Sequence, residues 1–137
     1  YGPYMDPHDG RVIPSFIISA LQHQPLTIFG DGLQTRSFQY IDDLIRGIDL
    51  MMQNRHFIGP VNLGNPIEIS ILDLAYLILK LTKSQSSIYH SELCSDDSLR
   101  RCPDISLAKE KLSWHPRVSL KLGLNQTIDY FNNFINS

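Results

Sequence analysis

The sequence predicts a mixed α/β fold. Segments with apolar residues at helical spacing alternate with short runs of strand-forming residues along the 137 residues. Hydrophobic residues make up 42% of the chain, which is enough for a packed core. The predicted strands are few and short, so a full parallel sheet is not expected. The sequence also lacks a glycine-rich turn between a strand and a helix, the feature that usually holds a dinucleotide.

Residues 1–11 are rich in Gly, Pro, Asp and His, a composition typical of a loop. The first helix is predicted from Ile13, because apolar residues then follow at helical spacing, and Pro25 should lie beyond its end. A short strand is expected at residues 27–29. After a glycine-containing turn, alternating residues predict a second strand at 36–40.

Asp42 is the predicted N-cap of a helix that ends near residue 54. A short strand is expected at 61–64. Ser70, with an acidic residue three positions later, resembles a capping box and predicts a buried helix over 71–82.

Predicted strands and helices also alternate in the final third of the chain. A strand is predicted at 87–92 and a polar loop at 94–103. Asp104 is the predicted N-cap of a helix that reaches Leu112. The last helix should run over 120–135, where apolar residues fall on one face.

Composition restricts the class of partner. With a net charge of −2 and a pI near 6.2, the chain has no basic field to hold nucleic acid. Its apolar runs are too short for a membrane span, and no secretory leader is seen, so a cytoplasmic protein is expected.

Cys94 and Cys102 are predicted to be free thiols, with a short-range disulfide as the alternative. Tyr1-Gly2-Pro3 reads as a loop that leaves a strand, which predicts a piece of a longer protein.

Two segments in the amino-terminal half carry polar groups that a fold does not require. Residues 1–11 are either an ordinary surface loop or a loop beside a cofactor or sugar, with Arg11 as an anion contact. Residues 27–36 are either a β-hairpin or a nucleotide contact. In the second interpretation Phe29 lines a base, while Gln34 and Arg36 bond a ribose or a phosphate.

A third segment, residues 96–104, combines acids with arginines. Such groups are usually solvated ion pairs. The alternative is that Arg101, which lies just before a proline and a helix, closes over a diphosphate.

Tyr76 and Lys80 stand four apart on a predicted helix, the spacing of the catalytic pair of short-chain dehydrogenases. They follow Asn62-Leu63-Gly64-Asn65-Pro66, which is the wrong place in the chain for that catalytic pair, so we interpret the spacing as coincidence. The five histidines are scattered without metal-ligand spacing, and we predict no catalytic residue and no metal site.

The ordered set of motifs resembles the UDP-glucuronate decarboxylases, within the extended short-chain dehydrogenase/reductases of the NAD-dependent epimerase/dehydratase family. The resemblance covers essentially the whole chain. The matching motifs are Tyr1-Gly2-Pro3, Met5-Asp6-Pro7, Asp9-Gly10-Arg11-Val12, Pro25-Leu26-Thr27, Gly30-Asp31-Gly32, Gln34-Thr35-Arg36-Ser37-Phe38, Asp42-Asp43-Leu44, Gly59 to Pro66, Asp96-Asp97, Arg101, Pro103-Asp104-Ile105, Ala108-Lys109 and Trp114 with Pro116.

The resemblance implies an enzyme with tightly bound NAD, which oxidises the sugar at C4, allows loss of the C5 carboxylate and then returns the hydride to give UDP-xylose. It implies that residues 1–137 are the carboxyl-terminal substrate-binding lobe plus terminal strand and helix elements of a Rossmann fold. The amino-terminal NAD-binding region, which carries the catalytic Tyr and Lys, would lie upstream and be absent. The intact enzyme would be a homodimer that binds a UDP-sugar.

The resemblance also assigns residues to the site. The expected substrate-binding residues are Arg11, Ser15, Thr27, Phe29, Gln34, Arg36 and Arg101, with Phe29 at the uracil and Arg36 toward the phosphates. Tyr1 and Tyr4 are expected beside the cofactor.

Three positions depart from the family pattern. Tyr4 replaces an Arg, Ser15 replaces an Asn found in many members, and Cys102 replaces an Arg or Lys. The alternatives are a dTDP-glucose 4,6-dehydratase, a nucleotide-sugar epimerase, or a non-catalytic module that binds UDP-sugars.

Overall fold

The computed structural model describes residues 1–92 and 98–136, and it confirms the mixed α/β class. The helices are α1 (Val12–Leu21), α2 (Ile41–Gln53), α3 (Ile71–Thr82), α4 (Ser106–Leu112) and α5 (Leu120–Ile135). The strands are β1 (Leu26–Phe29), β2 (Thr35–Ser37), β3 (Glu68–Ser70), β4 (Ile88–Ser91) and β5 (Arg100–Arg101).

The described strands form two small sheets. In the first, β1 pairs in parallel with β4. In the second, β2 lies between the antiparallel β3 and the parallel β5. The β-hairpin interpretation of residues 27–36 is therefore wrong, because β1 and β2 belong to different sheets. Gly30 and Gly32, with φ angles of 74° and 79°, make the turn that carries the chain between them.

The main core lies where α1, α3 and α5 pack around β1. Phe16 and Ile17 on α1, Leu26 on β1, Ile78 on α3 and Phe131 on α5 are almost completely buried there. Apolar residues three and four positions apart share a helix face, which is why the spacing predicted α1 and α5 correctly.

A second, smaller core surrounds Trp114, which is fully buried between α2 and α4. Val61 and Leu63 pack against it, but residues 61–64 are irregular, so the strand predicted there is wrong. Their apolar alternation reflects packing on this cluster, since no described strand pairs with them.

The helix starts test the predicted caps. The prediction for α3 is confirmed, because Ser70 Oγ accepts the Asp73 amide at 3.0 Å and donates to the Asp73 carboxylate at 2.6 Å. The prediction for α2 is wrong, because Tyr40 occupies the N-cap position and Asp42 lies exposed in the first turn. Residue identity does not separate a cap from a first-turn acid, since acids suit both positions.

The start of α4 lies one residue beyond the prediction. Ile105 occupies the N-cap position, while Asp104 accepts the Ser106 amide at 2.8 Å from just outside the helix. Asp104 therefore still satisfies one of the free amides at this helix start.

The second sheet was predicted least well. β2 ends at Ser37 instead of residue 40, because its antiparallel ladder with the three-residue β3 ends at that point. β3 and β5 were not predicted at all. Strands of two or three residues carry too little alternation to be distinguished from a loop.

Gly47 lies inside α2 where the helix meets the second core. A Cβ at this position would lie 2.8 Å from Leu63 Cδ1 and 2.9 Å from Trp114 Nε1. Alanine favours a helix over glycine by about 1 kcal/mol, whereas overpacking costs about 1–3 kcal/mol. We expect Gly47→Ala to lower the free energy of unfolding in chemical denaturation. A gain in stability would show that Leu63 and Trp114 move aside at no cost.

No helix in the described ranges is both long and apolar enough to cross a membrane. Cys102 is an exposed free thiol. Cys94, Asp96 and Asp97, which entered the predictions above, lie outside the described residues.

Candidate functional site

A pocket of about 440 Å³ opens between the start of α1, the edge of β1 and one face of β2 and β5. It brings together all seven residues expected at the substrate. We call it the arginine pocket, and its lining comprises Arg11, Ser15, Thr27, Phe29, Gln34, Arg36 and Arg101 with Gly10, Val12, Phe16, Ile28, Ser37, Phe38 and Ile71.

The edge of β1 that faces away from β4 is available to a ligand. The Leu26 and Gly30 amides donate to Ser87 and Ser91 carbonyls at 2.9 and 2.8 Å, on the β4 side. Since alternate residues of a parallel strand bond to opposite sides, the main-chain groups of Thr27 point away from β4. No described strand pairs with β1 on that side. This edge can therefore offer an amide and a carbonyl to a planar base.

Phe29 lies at the rim of the pocket with 52% of its surface exposed. The Phe29 carbonyl accepts a 2.9 Å hydrogen bond from Nε2 of the buried Gln34. Gln34 thus fixes the position of Phe29, in addition to lining the pocket itself. An exposed aromatic ring beside a free strand edge suits stacking on a base.

Three arginines reach the pocket from three elements. Arg11 immediately precedes α1, and its Nε lies 3.2 Å from Asp9 Oδ2. Arg36 lies on β2, where Nη1 donates to the Thr35 carbonyl at 2.7 Å, and Arg101 lies on β5. No Asp or Glu belongs to the described lining. The lining thus presents three guanidinium groups, the form of cation that binds phosphate oxygens in pairs.

The opposite face of the same sheet carries a contact that the sequence analysis missed. Glu68 on β3 accepts from Arg100 Nη2 at 2.6 Å and from Thr35 Oγ1 at 2.7 Å. These hydrogen bonds, from Arg100 first and Thr35 second, lower the pKa of Glu68 to about 2. The bridge joins three strands that were not predicted as a sheet, so sequence spacing alone did not indicate it.

Tyr1 and Tyr4 lie outside the arginine pocket. They line a neighbouring cavity of about 580 Å³, here called the amino-terminal pocket, whose other walls are residues 2, 3 and 5 and the start of α2. Arg11 belongs to both cavities, so a ligand could extend from one into the other.

The side chain of Tyr1 is committed to packing. Its hydroxyl donates to the Leu120 carbonyl at 3.3 Å, and its ring contacts Tyr40 at a centroid distance of 5.5 Å. Burial, followed by the nearby Tyr40 and Asp43, raises the pKa of Tyr1 above its ordinary value. Tyr4 is 87% exposed, with a φ of 66°, and its ring packs on Tyr130. Tyr1 is thus engaged within the fold through its side chain, whereas the ring of Tyr4 is open to solvent.

The described residues fit a dinucleotide cofactor only in part. The amino-terminal pocket offers apolar walls, the cation of Arg11 and the carboxylate of Asp42, groups that can meet one end of such a molecule. The turn between a strand and a helix that cradles a pyrophosphate is glycine-rich, and none occurs in residues 1–92 or 98–136. β3, for instance, runs into α3 without a glycine between them.

Tyr76 and Lys80 are both exposed on α3, and neither lines the arginine pocket. Within the described ranges, no group of His, Cys, Asp and Glu has the geometry to hold a metal ion.

Asp43 differs from its neighbour Asp42 in being buried. Its Oδ2 accepts the amides of Arg117 and Val118, each at 2.8 Å, and its Oδ1 accepts Arg46 Nη2 at 2.8 Å. Burial opposes ionisation, but the hydrogen bonds from Val118, Arg46 and Arg117 prevail and lower the pKa of Asp43. Asp43 thus ties α2 to the segment that leads into α5, and it does not line the arginine pocket.

Comparison with known proteins agrees with this geometry. Residues 1–64 match the family described as NAD dependent epimerase/dehydratase. The chain is 44% identical over 135 residues to UDP-glucuronic acid decarboxylase 1 of Arabidopsis thaliana, covering 98% of this chain and 31% of that protein. It is 48% identical over 132 residues to UDP-glucuronic acid decarboxylase 1 of Danio rerio, covering 96% of this chain and 31% of that protein. The chain thus spans about a third of the length of these relatives.

Solved structures give the same result. UDP-glucuronic acid 4-epimerase of Bacillus cereus, in complex with UDP-glucuronic acid and NAD, matches with a TM-score of 0.90 and 34% identity, over 98% of this chain and 43% of that one. UDP-glucose 4-epimerase of Thermotoga maritima, with UDP-glucose, matches with a TM-score of 0.92 and 31% identity, over 98% and 44%. Residues 1–64 therefore belong to the NAD-dependent epimerase/dehydratase family, and nearly the whole chain shares the fold of these epimerases.

Proposed function

We propose that the arginine pocket binds the nucleotide of a UDP-sugar, and that the chain is the carboxyl-terminal, substrate-binding part of an NAD-dependent UDP-glucuronate decarboxylase. The observation that carries the proposal is the convergence of Arg11, Arg36 and Arg101 beside a free strand edge. Identity to decarboxylases over nearly the whole chain supports the choice of reaction.

The pocket offers a complementary group for each part of the ligand. A uracil stacks on Phe29 and bonds to the main chain of β1 near Thr27. The diphosphate lies between Arg36 and Arg101, whose planar guanidinium groups donate paired hydrogen bonds. Ser15 and Arg11 then lie nearest the sugar, where Arg11 matches the charge of a glucuronate carboxylate. The product would be UDP-xylose.

NAD supplies the hydride acceptor and donor in this chemistry. Tyr1 and Tyr4, on the amino-terminal pocket, would form one wall of its site. We propose that the pyrophosphate cradle and the catalytic Tyr and Lys belong to sequence outside these 137 residues, in a cytoplasmic homodimer.

Two other functions have specific support. Epimerisation of a UDP-sugar is favoured by the similarity to the two 4-epimerases above. A binding module without NAD chemistry is favoured by the partial fit of the described residues to a dinucleotide. Binding of NAD to this chain would contradict the second of these functions.

Isothermal titration calorimetry with UDP-glucuronate, UDP, uridine and NAD tests the proposal. UDP and UDP-glucuronate should bind, and uridine should bind much more weakly because it lacks the phosphates that the arginines contact. Affinity for UDP should fall with rising salt, as expected for ion pairs at the protein surface. Equal affinity for UDP and uridine, or no binding of either, would contradict the assignment of the pocket.

A further inference from the structure

The sheet formed by β3, β2 and β5 has two chemically different faces. In the parallel pairing of β2 with β5, Thr35 lies opposite Arg100 and Arg36 lies opposite Arg101. Successive side chains on a strand point to opposite faces. Thr35 and Arg100 therefore share the rear face, and Arg36 and Arg101 share the face that lines the arginine pocket.

A single carboxylate binds both rear-face residues. Besides the contacts already given, Arg100 Nε donates to both oxygens of Glu68, at 2.9 and 3.0 Å. Arg100 thus donates hydrogen bonds to Glu68 from two nitrogens, while Thr35 Oγ1 donates to the same carboxylate. Glu68 itself does not line the arginine pocket.

The pairing of β5 with β2 is otherwise short. β5 has only two residues, and both side chains are exposed. The Thr35 amide donates to the Leu99 carbonyl at 3.0 Å, and Ser37 Oγ donates to the Arg101 carbonyl at 3.2 Å. On the pocket face, two like charges sit side by side in the ladder, an arrangement that pushes strands apart.

We infer that Glu68 is a positioning residue for the UDP-sugar site: by clamping Arg100 and Thr35 on the rear face, it sets the spacing of Arg101 and Arg36 for a diphosphate on the front. The inference rests on the proposed function and deepens it. Glu68 acts through the sheet and touches no ligand. The low pKa of Glu68 keeps the clamp ionised over the physiological range.

Whether Glu68→Gln strengthens or weakens the binding of UDP distinguishes a positioning role from a simple electrostatic one. Replacing Glu68 by Gln removes a negative charge near a pocket that binds an anion. Through the field alone, this change would strengthen the binding of UDP. If Glu68 instead fixes the arginines, Glu68→Gln weakens the binding of UDP despite the favourable change in charge.

The test compares Glu68→Gln with the control Glu110→Gln in the purified chain, with UDP and uridine as the probes. Glu110 also forms a surface ion pair, with Lys111 at 2.7 Å, but lies on α4 away from the pocket. We expect UDP binding to weaken by about tenfold in Glu68→Gln, as for loss of a charged hydrogen bond, with no change for uridine. Glu110→Gln should match the wild type.

A double-mutant cycle shows whether Glu68 acts through the front-face arginine. In an Arg101→Ala background, Glu68→Gln should have little further effect on UDP affinity, because coupled residues are not additive. Reversing the bridge, with Glu68→Arg and Arg100→Glu together, should restore most of the lost affinity. Additive losses, or unchanged UDP affinity in a folded Glu68→Gln protein, would overturn the inference.

A measurement without ligand separates this inference from the proposed function. Amide hydrogen exchange at Thr35 should accelerate in Glu68→Gln, because its bond to Leu99 depends on the clamp. Unchanged exchange would overturn the clamp whatever the ligand. Wild-type protein that fails to bind UDP, with faster exchange in the variant, would overturn the proposed function and leave the clamp standing.

Discussion

Replacement of Arg101 by alanine should weaken the binding of UDP-glucuronate by roughly tenfold to a hundredfold, the range expected when hydrogen bonds to a charged group are lost. Arg101 is an exposed residue of a two-residue strand, so its removal should leave the stability of the fold nearly unchanged. The loss should therefore appear in affinity alone, measured by calorimetry at low and moderate salt.

Two variants make this result specific. Arg101→Lys keeps the charge but loses the planar fork, so its affinity should fall between those of the wild type and Arg101→Ala. Arg55→Ala removes the same charge from an exposed position outside the arginine pocket, and it should bind like the wild type. If Arg101→Ala and Arg55→Ala weaken binding equally, only the net charge matters and Arg101 has no place in the site.

Replacement of Asp43 by alanine should have the largest effect on stability. The change leaves the amides of Arg117 and Val118 and the side chain of Arg46 without their acceptor at a buried position. Breaking a buried ion pair by removing one partner costs about 3–5 kcal/mol. We expect chemical denaturation to show a loss at the lower end of that range.

Asp42 provides the matched control, since it is adjacent, of the same type and exposed. Asp42→Ala should change the free energy of unfolding by less than about 0.5 kcal/mol, as is usual at the surface. The lowered pKa of Asp43 adds a pH signature. Its contribution is fully present above its ordinary pKa of 3.8 and is lost as the pH falls through the lower folded value. Equal losses for the two variants would contradict this account of Asp43.

Local pattern predicted the helices well, because each depends on residues within a few positions of one another. The apolar spacing of α1 and α5 and the cap at Ser70 are properties of a single segment. The strands were predicted less well, because a strand depends on a distant partner. β5 pairs with β2 across more than sixty residues, and nothing near Arg100 indicates that pairing.

The candidate site shows the same difference between features set within one segment and features that depend on distant residues. The seven residues expected at the substrate came from the resemblance to the family, and the fold gathers them into one pocket. The positioning contact between Glu68 and Arg100 was missed because the residues lie 32 positions apart. The burial of Asp43 was not predicted, because burial cannot be read from the Asp42-Asp43 pair itself.

The central claim is that one pocket between α1, β1, β2 and β5 receives the nucleotide of a UDP-sugar. An NMR titration of the isotope-labelled protein with UDP tests it most directly, since amide shifts map the contact residue by residue. The account predicts that the largest shifts occur at Thr27, Phe29, Arg36 and Arg101, with little change at residues 53–56, which line another cavity. Shifts centred on residues 53–56, or an unchanged spectrum at saturating UDP, would contradict it.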